Sequence, residues 1–246
     1  MKVLILAAGY GTRLAAIAKD TPKPLLPING KPMIDFIIKE LSQISGINEY
    51  VVVTNNKFFG QFQQWQQGQG KLSSAIRIVN DGTNSNEDRL GSVGDMRFVW
   101  DREKEQDDWL VVGGDNLFDF DLTSYIAMAR AKAPAVTVGV YDIKDISQAH
   151  MFGIIALDKN GKVVSFEEKP AQPKSTLVTM CFYYFPKRTI GYIGQFFKES
   201  SSSDAAGSYI KWLSENKEVY GFQFQGTWYD IGSVESYYEA QKQFKK

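Results

Sequence analysis

The fold of this chain can be inferred first from residues 2–14, which read KVLILAAGYGTRL. An apolar run from Val3 to Ala8 opens into a turn that contains Gly9 and Gly11, and Arg13 follows directly. A short apolar strand that ends in a glycine-rich turn is typical of the first strand of an α/β domain, where ligands bind at the carboxyl ends of strands. The stretch therefore predicts a parallel sheet with a binding turn at its edge.

Apolar runs alternate with helical patterns through the first half of the chain, as in consecutive βαβ units. The predicted strands are Lys2–Ala7, Tyr50–Thr54, Ala75–Asn80, Trp109–Gly113 and Ala135–Val140, and the predicted helices are Lys31–Ile44, Lys57–Gln67, Ser92–Lys104 and Asp121–Lys132. This order predicts a sheet with helices on its faces.

The pattern changes after Val140, where two strands flank an Asn-Gly pair that favours a hairpin turn. The elements predicted for this half are strands Gly153–Leu157, Lys162–Glu168 and Leu177–Phe185, and helices Arg188–Lys198, Ala206–Glu215 and Ser233–Phe244. The predicted fold class is α/β, a Rossmann-like, mainly parallel mixed sheet flanked by helices, in a single domain over residues 1–246.

Composition excludes several classes of function. The 246 residues include 28 Lys and Arg against 28 Asp and Glu, so there is no net charge to draw nucleic acid or an anionic membrane as the main partner. The lone Cys181 and lone His150 exclude an internal disulfide framework and a zinc site built from those residues. No apolar run approaches the ~20 residues that span a bilayer. We expect a cytoplasmic protein with no membrane or nucleic-acid partner.

The glycine turn has two interpretations. It is neither a Walker loop, because no Gly-Lys-Ser/Thr follows, nor the dinucleotide fingerprint, because Leu14 stands at the third glycine position. It either cradles a phosphate or is an ordinary tight turn. Lys23 lies between Pro22 and Pro24, which hold it out of a helix, so that it either presents a point charge to a phosphate or is a solvated loop lysine.

Two aspartates are candidate metal ligands. Asp115 follows the predicted strand Trp109–Gly113, and Asp230 stands between aromatic residues and Gly232. Mg²⁺ prefers one or two carboxylates together with substrate phosphates and water, although an aspartate in this position can equally cap a turn. The two residues could share one ion only if the fold brings them together.

Six motifs carry a resemblance to a known family. They are Gly9–Leu14, Pro22–Pro27, Leu90–Gly94, Gly114–Asn116, Glu167–Pro170 and Trp228–Ser233. In this order they resemble the motifs of the sugar-phosphate nucleotidylyltransferases, and the chain is most similar to the short relatives of the glucose-1-phosphate thymidylyltransferases. The resemblance covers residues 1 to about 244. It implies the nucleotide-diphospho-sugar transferase fold, with a nucleotide-binding half (1–116) and a sugar-phosphate-binding half (117–246).

The resemblance also implies a reaction, in which a sugar 1-phosphate attacks the α-phosphorus of a nucleoside triphosphate and releases pyrophosphate. A phosphate monoester is mostly dianionic at neutral pH, so this chemistry needs no general base. The implied residues are Arg13 and Lys23 for catalysis, Asp115 and Asp230 for Mg²⁺, Ala8, Gly9, Gly11, Thr12, Asp81, Thr83 and Gly91 for the nucleotide, and Asn116, Gly153, Glu168, Lys169 and Thr179 for the sugar phosphate.

The substrates are left open by departures from the family. The loop Asn80–Arg89 replaces a shorter loop with a base-reading Gln, so Asp81 or Thr83 is expected to read the base. We expect dTTP or UTP with glucose 1-phosphate. The alternatives are a cytidylyltransferase that uses a non-glucose sugar or alcohol phosphate, and a non-catalytic regulatory paralogue that binds sugar nucleotides. A homo-oligomer is compatible with the sequence.

Overall fold

The computed structural model describes residues 1–18, 20–70, 74–103, 107–200 and 204–244. Its strands are β1 (Lys2–Leu6), β2 (Pro27–Ile28), β3 (Lys31–Pro32), β4 (Glu49–Thr54), β5 (Ala75–Asn80), β6 (Trp109–Gly113), β7 (Asn116–Phe118), β8 (Val136–Asp142), β9 (Gly153–Leu157), β10 (Val163–Glu168), β11 (Leu177–Phe185), β12 (Val219–Gln223) and β13 (Trp228–Asp230). Its helices are α1 (Ala15–Ala18), α2 (Met33–Leu41), α3 (Phe59–Gln67), α4 (Gly91–Trp100), α5 (Leu122–Ala131), α6 (Tyr192–Glu199), α7 (Ala206–Asn216) and α8 (Val234–Gln243).

The central sheet has the order β5-β4-β1-β6-β11-β8-β12. β1, β4, β5 and β6 run parallel to one another. β11 is antiparallel to both β6 and β8, so β8 and its parallel neighbour β12 point the same way as β1. The β9–β10 hairpin joins the sheet beside the first half of β11. The predicted mainly parallel mixed sheet is confirmed.

Alternating side chains of the parallel strands pack into two cores on opposite faces of the sheet. Val3 and Ile5 of β1 enter one core, whereas Leu4 enters the other. β4 and β6 follow the same alternation, because successive side chains of a strand point to opposite faces. Both faces of β1, β4 and β6 are buried, and these central strands are accordingly rich in apolar residues. No helix in the described ranges is long and apolar enough to cross a membrane.

The predicted helix Lys31–Ile44 is wrong at its start. Lys31 and Pro32 form β3, which pairs with β2 across the two residues Asn29 and Gly30. Both of these residues have positive φ, 49° and 81°, as a two-residue hairpin turn requires. The Asn-Gly pair was the signal for this hairpin, and helix α2 begins only at Met33.

Other differences lie at element ends and in short strands. The predicted helix Arg188–Lys198 begins at Tyr192, because a 3₁₀ turn occupies Lys187–Thr189. The end of the predicted helix Ser92–Lys104 lies outside the described residues, and α4 ends at Trp100. The sequence did not predict β7, β12 or β13, whose pairing depends on partners distant in the chain.

Candidate active site

A cleft of about 460 Å³ lies at the carboxyl ends of the parallel strands β1, β5 and β6. The turns that follow parallel strands meet at one edge of the sheet, which is where α/β folds bind ligands. Nine residues that the sequence singled out line this cleft: Ala8, Gly9, Gly11, Thr12, Arg13, Lys23, Asp81, Gly91 and Asp115. The predicted nucleotide and catalytic residues are thereby brought together, with the exception of Thr83.

The glycine turn after β1 is fixed from β4. The buried Asn55, directly after β4, donates from Nδ2 to the Ala8 carbonyl at 2.8 Å, and its Oδ1 accepts from the Phe58 N–H at 3.1 Å. Gly11 has a φ of 65° and starts the 3₁₀ turn Thr12–Leu14. Asn55 was missed by the sequence analysis, although a polar residue at the end of a buried apolar strand is a recognisable signal.

Lys23 contacts Asp115 across the cleft. The ammonium Nζ lies 3.2 Å from Oδ2 of Asp115. The prolines were expected to hold Lys23 out of a helix; Pro22 and Leu26 are extended, and Lys23–Leu25 form only a single 3₁₀ turn. Pro is compatible with the first turn of a helix because its missing N–H has no partner to lose there.

The turn of Asp115 packs tightly on two other segments. The Gly114 N–H donates to the Leu6 carbonyl at 2.9 Å. A Cβ on Gly114 would lie 2.8 Å from that oxygen and 2.8 Å from Cγ of Pro24. Only glycine allows this approach, which brings the end of β6 against the segment of Lys23.

Asp230 lies beside Asp115 through the pairing of β7 with β13. Asn116 stands opposite Asp230 in this antiparallel pair, and the Ile231 N–H donates to the Asp115 carbonyl at 2.9 Å. Burial, together with the negative charge of Asp115, raises the pKa of Asp230 to about 7. A buried carboxyl group beside the negative charge of a second one forms an environment that favours a bound cation.

This donor set fits the Mg²⁺ that the resemblance implies. Asp115 and Asp230 supply hard carboxylate oxygens, and the number agrees with the one or two carboxylates that Mg²⁺ takes beside substrate phosphates. No group of three or more His, Cys, Asp or Glu side chains with metal-binding geometry occurs in the described residues.

Basic side chains face the aspartates. The positive charges of Lys23, Arg13 and Lys169 all act on Asp230 and favour its ionised form. The Arg13 guanidinium also lies close to Gly232, since Nη1 is 3.9 Å from a Cβ built there. Three cations around two carboxylates make a site that suits a polyanion bound together with a metal.

The predicted sugar-phosphate residues form a second group, outside the lining of the cleft. Asn116 links this group to the cleft, because its Nδ2 donates to Asp115 Oδ1 at 3.1 Å. Gly153 pairs with Glu168 between β9 and β10, and Thr179 Oγ1 donates to the Gly153 carbonyl at 3.4 Å. Gly153, Glu168 and Thr179, from three different strands, are thus neighbours.

Glu168 lies against the first turn of α7. A Cβ on Gly207 would fall 1.8 Å from its Oε2, so any larger residue at position 207 would displace the carboxylate. Burial raises the pKa of Glu168, and the nearby charge of Lys169 opposes that shift. Lys169 has a φ of 45° and its N–H donates to the Phe152 carbonyl. The role of Gly207 was not visible in the sequence.

The loop after β5 presents Asp81 to the cleft and keeps Thr83 behind it. The Thr83 N–H and Oγ1 donate to Oδ1 of Asp81 at 2.7 and 2.8 Å, and the Tyr10 hydroxyl donates to Thr83 Oγ1 at 3.0 Å. Thr83 is buried and does not line the cleft. Of the two base-reading candidates, Asp81 is the one that faces the ligand space.

Asp95, Arg89 and Asp204, which were not among the predicted site residues, also line the cleft. Arg89 Nη2 lies 2.6 Å from Asp204 Oδ2, and the Ser92 N–H donates to the Asp204 carbonyl at 2.8 Å. These contacts join the loop after β5 to the segment before α7, more than 110 positions later. Sequence spacing gives no signal for such a pairing.

Comparisons with known proteins agree with this architecture. The profile of the family described as Nucleotidyl transferase matches residues 2–246. A structure of a proposed glucose-1-phosphate thymidylyltransferase from Bacillus anthracis, in complex with sucrose, is similar with a TM-score of 0.81 and 25% identity, over 98% of this chain and 94% of that one. A UDP-glucose pyrophosphorylase complexed with UDP-glucose has the same fold, with a TM-score of 0.81 and 20% identity, over 99% and 97% of the two chains. Because the family profile spans almost the whole chain, the protein belongs to the nucleotidyl transferase family and is a sugar-phosphate nucleotidyltransferase enzyme.

Proposed function

We propose that the protein condenses a nucleoside triphosphate with a sugar 1-phosphate to give a nucleoside diphosphate sugar and pyrophosphate. A phosphate oxygen of the sugar 1-phosphate forms a bond to the α-phosphorus. The bond from the α-phosphorus to the oxygen that bridges to the β-phosphorus breaks, and pyrophosphate leaves. The observation that carries the proposal is the contact of Lys23 with Asp115 at 3.2 Å, beside Asp230 and the glycine turn.

The chain's own residues serve positioning and charge neutralisation, which dominate phosphoryl-type transfer. Arg13 and Lys23 would neutralise the triphosphate and the attacking phosphate. Asp115 and Asp230 would hold Mg²⁺, which when bound offsets phosphate charge. Turn residues Ala8 to Thr12 would hold the nucleotide.

A covalent or base-catalysed route has little support among the described residues. His150 is exposed, with Nδ1 2.7 Å from the Ser147 carbonyl rather than in the cleft. Burial raises the pKa of the Cys181 thiol, so that it stays neutral. A dianionic phosphate attacks without losing a proton, so the reaction does not require a histidine or a thiolate in the cleft.

For the acceptor, glucose 1-phosphate remains the proposed substrate. Glu168 would accept hydrogen bonds from sugar hydroxyls, and Lys169 would pair with the sugar phosphate. Asn116, Gly153 and Thr179 complete the predicted acceptor side, and the division of the chain near residue 116 into two binding halves stays a prediction.

For the donor, the family resemblance favours dTTP or UTP, and the two solved relatives bear names with these nucleotides or their sugars. The second candidate is a cytidylyltransferase that uses a non-glucose sugar or alcohol phosphate. It is favoured by the carboxyl groups of Asp81 and Asp95 in the cleft. The retained Lys23, Asp115 and Asp230 speak against a non-catalytic regulatory paralogue.

The experiment is pyrophosphate release with Mg²⁺ over dTTP, UTP, CTP, GTP and ATP against a panel of sugar 1-phosphates, each with a blank without sugar. Lys23→Ala and Asp115→Ala should abolish most turnover while the protein stays folded. Lys39→Ala, an exposed lysine on α2, is the matched control and should keep full activity. Near-wild-type rates in the first two variants would contradict the assignment.

A further inference from the structure

Asp95 is a buried carboxyl group that the proposed reaction has not used. It lies on α4, is 5% exposed, and lines the cleft together with Asp81, which is 7% exposed. Among the described residues, no N–H or hydroxyl group donates to its Oδ1. Buried polar atoms normally have partners, so an acceptor of this kind in a ligand cleft needs one from the ligand.

The carboxyl groups of Asp95 and Asp81 are hydrogen-bonded to each other. Burial, and next the charge of Asp81, raise the pKa of Asp95 to about 8, and the protonated Asp95 is hydrogen-bonded to Asp81. Oδ1 of Asp81 already accepts two hydrogen bonds from Thr83. With the proton of Asp95 directed at Asp81, the remaining oxygens of the pair can only accept hydrogen bonds.

The pair lies where a base would be. The order β6-β1-β4-β5 puts Asp115 after the first of these strands and Asp81 after the last. Neighbouring strands are about 4.8 Å apart, so three spacings separate the two aspartates by about 14 Å along the edge of the sheet. The glycine turn after β1 lies between them. A nucleotide whose phosphates sit at this turn and at Asp115 therefore extends its base toward Asp81 and Asp95.

An acceptor-only surface discriminates between bases. The edge of uracil or thymine has one N–H between two carbonyl oxygens, and these oxygens would face the carboxyl oxygens without a proton between them. Cytosine presents an exocyclic amino group, which donates to such an acceptor. Unpaired polar groups in a buried site strongly disfavour the wrong substrate.

We propose that Asp95, held against Asp81, reads the base of the donor nucleotide and selects an exocyclic amino group, which among pyrimidine nucleotides means CTP. This inference rests on the proposed function, because it takes the cleft as the site of a nucleoside triphosphate. It makes Asp95 a specificity residue that contacts the base.

The test is calorimetric binding of CTP and UTP to the full chain in the absence of any sugar phosphate. The two nucleotides differ only at the 4-position of the base and in the protonation of N3. The wild type should bind CTP at least about tenfold more tightly than UTP, which corresponds to one well-made hydrogen bond. Asp95→Asn, which offers an amide donor, should reduce this ratio to less than about threefold.

Asp101→Asn, an exposed change at the end of the same helix, should keep the wild-type ratio. Equal or tighter binding of UTP by the wild type, an undiminished CTP preference in Asp95→Asn, or no binding of either nucleotide would overturn the inference. Thermal unfolding verifies that each variant is folded. Tight CTP binding without pyrophosphate release on any acceptor would instead refute the proposed function and leave the base assignment standing.

Discussion

Asp95 should lower the stability of the protein at neutral pH, and Asp95→Asn should restore it. The carboxyl group is almost completely buried next to the charged groups Asp81 and Asp204, and its pKa rises from 3.8 to about 8. Asparagine is nearly isosteric, does not titrate in this range, and can donate to Asp81. The perturbation therefore removes the ionisation cost and leaves the packing.

The sign of the effect follows from proton binding. Between pH 4 and pH 8 the folded state holds a proton on Asp95 that the unfolded state has lost, so the free energy of unfolding decreases as pH rises. Each pH unit above the unfolded pKa of 3.8 lowers the free energy of unfolding by about 1.4 kcal/mol, so the loss reaches about 4 kcal/mol at pH 7. From pH 5 to pH 7 the advantage of Asp95→Asn over the wild type should grow by about 2 to 3 kcal/mol.

The assay is urea unfolding followed by tryptophan fluorescence at pH 5, 6 and 7, with the midpoint and slope fitted at each pH. Asp101→Asn is the matched control, because the same change at an exposed position should leave the pH dependence as in the wild type. Parallel stability curves for Asp95→Asn and the wild type would refute the reasoning. They would mean that Asp95 ionises in the folded protein at little cost.

Three further changes probe how the site is positioned. Gly207→Ala should push Glu168 out of place and reduce kcat/KM at least about tenfold, mainly through a higher KM for the sugar phosphate. The melting temperature should change little, and an unchanged KM would contradict the contact between Gly207 and Glu168. Asn55→Ala removes two buried hydrogen bonds and frees the Ala8 carbonyl, so we expect a loss of about 2 kcal/mol in urea unfolding and weaker nucleotide binding. Gly114→Ala should clash with backbone and proline atoms, and lost activity with an altered near-ultraviolet circular dichroism spectrum is expected; a fully active variant would show that the turn relaxes freely.

Most of the fold was predictable because its signals are local. Strands buried on both faces read as continuous apolar runs, and the predicted β1, β4 and β6 fall within one residue of their observed ends. The predicted ends of the edge strand β5 agree with the observed ones. The β9–β10 hairpin was marked by its Asn-Gly turn. The second Asn-Gly pair, Asn29-Gly30, was overlooked because the strands on either side have only two residues each. A strand of two residues is too short to show the alternation of apolar and polar residues that identifies a strand.

The sequence by itself determined the parallel sheet, the glycine turn after β1 and the candidate residues Lys23, Asp115 and Asp230. Each belongs to a short motif whose chemistry depends on adjacent residues. Only the tertiary structure decided that Asp230 lies beside Asp115 and that Thr83 stands behind Asp81.

Asp95 is the clearest example of a feature that only the tertiary structure decided. In the sequence it is an ordinary acidic residue within a helical pattern. Its burial and its contact with Asp81 depend on packing against a loop that begins fifteen residues earlier and a segment that follows a hundred residues later. Ionisation energy depends on distance and dielectric environment, and both are set by the folded chain rather than by neighbours in sequence.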